Sequence, residues 1–97
     1  MKYSALRSFI KKFDDYGKKE QELITCSLEE IKNYLETNSA AYGLRIKRLS
    51  PKIYEARINI HLRIAYYREK DVVKFFCLGS HDDIRHSLKV ISRLDRG

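Results

Sequence analysis

Apolar positions along the chain change period twice. From Leu6 to Tyr16 the residues Leu6, Phe9, Ile10, Phe13 and Tyr16 recur at intervals of three and four, the repeat of one helix face. Gly17 then stands as a C-terminal stop. From Lys18 to about Asn38 the stripe resumes with Leu23, Ile24, Ser27, Leu28, Ile31, Tyr34 and Leu35. Glu20 and Glu22 lie in its first turn, where a helix dipole favours negative charge. The spacing predicts a helical hairpin over residues 4–38 and leaves open a short strand at about residues 2–6. Asn38 to Gly43 is a turn-rich break.

The period then falls to two. Leu44 to Leu49 reads as a strand ended by Ser50-Pro51. From Ile53 to Ile60, Tyr54, Ala56, Ile58 and Ile60 alternate with Glu55, Arg57 and Asn59. From Leu62 to Tyr67, Leu62, Ile64 and Tyr66 oppose Arg63, Ala65 and Tyr67. A hairpin at Asn59–His61 and a turn at Arg68–Asp71 connect these to Val72–Leu78. That last run is apolar on both faces except for Lys74, as in a central strand.

After Gly79 the helical period returns: Asp82-Asp83 opens a segment with Ile84, Leu88, Ile91 and Leu94 on one stripe. The expectation is a single α+β domain over residues 1–97. Its helical hairpin packs on a four-stranded, possibly five-stranded, curved antiparallel sheet at 44–80. A C-terminal helix follows at 82–95, and all helices cover one sheet face, leaving a basic face open.

Charge sharpens this picture. Residues 1–43 carry seven Lys or Arg and seven Asp or Glu, whereas residues 44–97 carry thirteen basic and six acidic side chains. The whole excess of +7 therefore sits in the sheet half. Such asymmetry suits a polyanionic partner, nucleic acid or an acidic protein, against the plainer alternative of a solvated basic surface. No apolar run approaches the roughly 20 residues of a membrane span, and the N-terminus shows no apolar signal core. A cytoplasmic chain with no membrane partner is the expectation. Cys26 and Cys77 fall within apolar periodic segments, without a CxxC pair, and are expected to be small buried hydrophobes.

Alternation places Arg57 and Arg63 on adjacent strands with Glu55 and Tyr67 beside them, and Arg45 and Lys47 on one face of the preceding strand. His81 follows at the sheet's edge. These residue types suit metal-free RNA cleavage. The ribose 2′-OH loses a proton as it attacks phosphorus, the 5′-oxygen gains one as it leaves, and fixed cations hold the phosphoryl charge. Arg57 and Arg63 are the candidate phosphate clamps, His81 the acid, and Glu55 the complementary base. Arg45, Lys47, Arg48, Tyr67 and Arg85 are candidates for RNA binding. Each has a plainer alternative: an exposed Arg–Glu ion pair, His81 as a helix cap, Asp82 and Asp83 as dipole partners, Tyr67 as sheet packing. His61 sits at a hairpin tip. His86 lies five residues past His81, which is not helical ligand spacing, so no metal site is expected, nor any cofactor. A Gly-rich phosphate loop and a GxSxG nucleophile elbow are absent from the sequence.

Taken together, Tyr54-Glu55-Ala56-Arg57-Ile58, Leu62-Arg63-Ile64-Ala65-Tyr66 and Phe76-Cys77-Leu78-Gly79-Ser80-His81-Asp82-Asp83-Ile84 resemble the RelE/ParE toxin superfamily of bacterial type II toxin–antitoxin systems. Gly43-Leu44 through Arg48-Leu49 resembles the strand that precedes them, and the match covers residues 43–84. The resemblance implies a compact toxin and a ribosome-dependent mRNA endonuclease of the RelE-like branch, silenced by an acidic antitoxin and acting on mRNA at the ribosome. By position it gives Arg63 the phosphate, Arg57 and Glu55 catalytic strand positions, and His81 the general acid. The terminal aromatic usual in the family is replaced by Arg85, and His86–Gly97 extends past many members. A gyrase-inhibiting ParE-like binder and an inactive toxin-like module therefore stand as alternatives. The first tolerates loss of Arg57, Arg63 or His81; the second causes no growth arrest.

Overall fold

A strand opens the chain, β1 (Lys2–Ala5), followed by α1 (Arg7–Asp15) and α2 (Lys18–Thr37). Then come β2 (Arg45–Ser50), β3 (Ile53–Arg57), β4 (Arg63–Glu69), β5 (Val72–Gly79) and α3 (His81–Asp95). The computed structural model describes residues 1–38 and 45–95, with side chains as far as residue 90. Most of the turn-rich break at 38–43, Leu44, and the side chains of Ile91 and Leu94 thus lie outside the described residues.

The strands form one sheet in the order β1-β5-β4-β3-β2. It has five strands and is mixed: β1 runs parallel to β5, and the other three pairs are antiparallel. Four residues are too few for alternation to declare β1, and its anchoring is tertiary. The Tyr3 ring stacks on Phe75 at 6.4 Å, and its hydroxyl lies 3.3 Å from the Lys32 carbonyl and 3.1 Å from Glu36 Oε1 on α2.

Gly17 does not end α1 through a left-handed turn. Tyr16 and Gly17 are both extended, at φ −81° and −71°, and Gly17 serves as the N-cap of α2. The left-handed residue is Asn38 (φ 60°), which closes α2. The predicted stripes were also too wide: Leu6, Ile10 and Leu23 are exposed, whereas Phe9, Ile24, Ile31 and Leu35 are buried.

Both sheet faces are covered in part, contrary to the expectation of one open face. Phe9, Ile24, Ile31 and Leu35 pack with Ala56, Ile64, Tyr66, Val73, Phe75 and Leu78 on the hairpin side. On the other side Ile84 and Leu88 of α3 pack with Ile53, Ala65, Phe76 and Cys77. Each fully buried aliphatic or aromatic side chain stabilises the fold by about 1.5–3 kcal/mol. A shift in register between Ala65 and Tyr66 pairs them with Cys77 and Phe75. This bulge turns Phe76 and Cys77 toward the same face and explains the two-sided apolar run in β5. Cys77 is buried as expected, and its thiol is pushed upward by burial; Cys26, by contrast, is exposed.

β3 is shorter than its alternation suggests. Beyond Arg57 the backbone N–H groups of Ile58 and Asn59 both donate to the Leu62 carbonyl (2.9 and 3.1 Å). Asn59 Oδ1 accepts from the His61 N–H (2.8 Å), so the turn begins early and leaves Ile60 exposed. β4 conversely runs on to Glu69, which pairs with Val72 across a two-residue turn in which Lys70 is left-handed (φ 55°).

Candidate functional site

The pleat and the register set the site. Arg45, Arg57, Arg63 and Gly79 stand opposite one another across β2, β3, β4 and β5; the next row is Lys47, Glu55, Ala65 and Cys77. Residues in these rows share the face that α3 partly covers. Three arginines opposed on neighbouring strands oppose the pairing that holds them, since like charges directly across a ladder destabilise it. One carboxylate in these rows answers them. Arg63 Nη1 donates to Glu55 Oε1 at 2.6 Å, with the Glu55 side chain only 5% exposed and that of Arg63 21% exposed. Arg45 and Arg57 have no carboxylate partner among the described residues.

Arg63 Nη1 also lies 3.3 Å from His81 Nδ1. A guanidinium only donates, so in this contact Nδ1 is the acceptor. Arg63 thus stands between a carboxylate and an imidazole. Its Nε–H is buried with no hydrogen-bond partner among the described residues.

Two features deliver His81 to this spot. Ser80 caps α3: Asp83 N–H donates to Ser80 Oγ (3.2 Å), and the Ser80 backbone N–H and hydroxyl reach Asp83 Oδ2 at 2.9 and 3.0 Å. This reciprocal Ser-x-x-Asp cap is a variant of the capping box, and its spacing is the signal by which the sequence marks the start of α3. The cap is therefore Ser80, which frees His81 from that role. The Ser80 backbone N–H, followed by its hydroxyl, holds the Asp83 carboxyl below its ordinary range. Second, Gly79 sits at φ 157°, and a Cβ there would collide with the Asp83 carboxylate. A residue without a side chain lets the first turn of α3 descend onto the sheet beside Arg63.

The remaining candidates divide. Lys47 is exposed opposite Glu55, and Arg45 is exposed at the end of the arginine row. Arg85 is exposed on α3, one turn beyond His81. Arg48 points to the other sheet face, paired with Tyr54, and its guanidinium holds the Ser50 and Pro51 carbonyls (3.3 and 2.9 Å). Its chemistry is that of a turn clasp, and the structure does not bring it to the others. Tyr67 lies four residues along β4 from Arg63, about 13 Å away at strand rise. It donates to Glu69 Oε2 (2.6 Å), and Glu69 is in turn bound by Lys52 (2.9 Å). Tyr67 instead borders a separate cavity of about 620 Å³, lined also by Leu6, Val72, Lys74 and Phe76. Among the described residues no group of three or more His, Cys, Asp and Glu side chains converges as a metal site would require.

No family model and no curated protein matches the sequence. Solved structures do match the fold. A copper-bound mutant toxin from Helicobacter pylori superposes with a TM-score of 0.61 at 22% identity, covering 84% of this chain and 96% of that one. A metal-bound toxin from the same organism gives 0.58 at 18% identity, over 84% and 96%. The archaeal RelE–RelB complex from Pyrococcus horikoshii gives 0.58 at 14% identity, over 81% and 92%.

Proposed function

The chain has the RelE-like toxin fold, and we propose that it is the toxin of a type II toxin–antitoxin system, an endonuclease that cuts mRNA on the ribosome by metal-independent attack of a ribose 2′-OH. The observation that supports this most is the arginine row with its acid and base. A fold that sets Arg45, Arg57 and Arg63 side by side and balances only Arg63 carries a standing electrostatic cost that a bound phosphate would relieve.

In this reading the scissile phosphate docks on Arg57 and Arg63. Glu55 uses Oε1 to hold Arg63, leaving Oε2 to take the proton from the 2′-OH. The 2′-oxygen attacks phosphorus, the bond from phosphorus to the 5′-oxygen breaks, and a 2′,3′-cyclic phosphate remains. As the phosphate draws Arg63 off His81 Nδ1, that nitrogen takes a proton from solvent, and the imidazolium delivers one from Nε2 to the departing 5′-oxygen. Arginine forks stabilise the charge that grows on the phosphoryl oxygens. Arg45 and Lys47 hold the flanking backbone. An acidic antitoxin is the partner this surface calls for, since an acidic, poorly folded segment would neutralise the basic half on binding.

Induced expression in bacteria of the wild type beside Arg63→Ala and His81→Ala, with primer extension on a translated mRNA, tests the assignment. Codon-spaced cuts that disappear in both variants are expected. Growth arrest with intact mRNA would overturn the nuclease reading in favour of a non-nucleolytic target such as gyrase, and no arrest would leave a binding module.

A further inference from the structure

α3 crosses the sheet with a defined orientation. Ile84 and Leu88 are held in the core beneath it, and the Ser87 hydroxyl meets Cys77 Sγ at 3.2 Å. Asp83, folded back on Ser80, feels the charge of Lys12 on α1. One flank of the helix begins with His81 at Arg63 and continues, at intervals of four residues, through Arg85 and Lys89. Both are exposed and have no carboxylate partner among the described residues. Across from this flank lie Arg45, Lys47 and Arg57 on β2 and β3. Cations therefore stand on both sides of the place where Arg63 meets Glu55 and His81.

We propose that Arg85 and Lys89 form the second wall of a single-stranded RNA channel, contacting backbone phosphates beyond the scissile one, with β2 and β3 as the first wall. Eight residues separate His81 from Lys89, so this wall extends about 12 Å past the acid. The proposal rests on the nuclease reading of the site and adds to it a path for the strand. Arg85 occupies a lateral position suited to a phosphate or to the face of a base, and Lys89, further round the helix, reaches with a flexible stem. RNA fits this channel better than a folded acidic protein would, because its cations are spaced along a line, with the exposed Ile60 set apart in the hairpin turn beyond Arg57 and Arg63.

The test is the salt dependence of binding to a fully 2′-O-methylated single-stranded RNA, which cannot be cut, for the wild type and Arg85→Ala/Lys89→Ala. Each phosphate contact contributes about 0.7 to the slope of log affinity against log salt on a single strand, so loss of two lowers the slope by about 1.4. Arg85→Lys/Lys89→Arg restores it. Thermal melting of the double variant stays at the wild-type value, because both side chains are exposed. An unchanged slope with intact wild-type binding overturns the channel and leaves the nuclease site standing. A wild type that fails to bind the RNA at low salt likewise overturns the channel, whereas the nuclease reading is overturned only by intact translated mRNA in the expression assay.

Discussion

At the scale of single residues, the contact between Arg63 and Glu55 ties stability to chemistry. Removing one member of a nearly buried ion pair leaves the other charge stranded, which costs about 3–5 kcal/mol in fully buried cases and somewhat less here, where Arg63 keeps a fifth of its surface in water. Urea denaturation should therefore show Arg63→Ala destabilised by about 3 kcal/mol, with Arg63→Ala/Glu55→Gln recovering part of the loss; strict additivity of the two substitutions would contradict the coupling. Arg57→Ala, whose cross-strand neighbours are both arginines, should leave stability near or above the wild type while lowering cleavage. Much of this was legible beforehand, because alternation alone places Glu55, Arg57 and Arg63 on one face. An Arg–Glu ion pair was legible only as an exposed one; its burial was not, since it depends on α3 closing over the sheet. Arg48 shows the opposite failure: its charge suggested RNA, but one position of alternation and two free carbonyls at the Ser50-Pro51 turn decide otherwise.

The junction of β5 and α3 governs the site at the scale of elements. Gly79→Ala places a side chain at φ 157° against the Asp83 carboxylate, so the first turn of α3 must move. A loss of about 1–3 kcal/mol in stability is expected, together with impaired cleavage as His81 leaves Arg63; wild-type activity in this variant would show that the junction does not position the acid. The Ser80–Asp83 cap adds a pH dependence. Asp83 titrates lower in the folded chain than its unfolded value of 3.8, so the cap's contribution is fully present above that value. It declines as acid is added and is gone once the pH falls below the folded value. Acid unfolding of Asp83→Asn should lack this component, and an acid limb identical to the wild type would refute it. The helical period after Gly79 was clear from the sequence, and so was the spacing of the cap. Which face α3 would cover was not, because the bulge that turns Phe76 and Cys77 to the same side leaves only an ambiguous apolar run.

Across the whole molecule, the uneven charge carried the most information and the sheet topology the least. Thirteen basic against six acidic residues after position 43 pointed to a cationic sheet, and three of those arginines line up in one row across it. The parallel pairing of β1 with β5 had no local signature: it rests on Tyr3 meeting Phe75 and α2, contacts between residues about thirty to seventy positions apart. Tyr3→Ala should accordingly release β1, with amide exchange at Lys2–Ala5 accelerated while β3 and β4 remain protected; uniform acceleration across the sheet would show that the strand is integral to its stability.

The central claim is that this site cuts RNA with the substrate's own 2′-hydroxyl. It is tested most directly on purified ribosomes programmed with two mRNAs that differ only by a 2′-deoxy substitution at the nucleotide preceding the cut. The account predicts cleavage of the all-ribose message, ending in a 2′,3′-cyclic phosphate and a 5′-hydroxyl, and an intact deoxy message. Cleavage of both, or of neither, would contradict it.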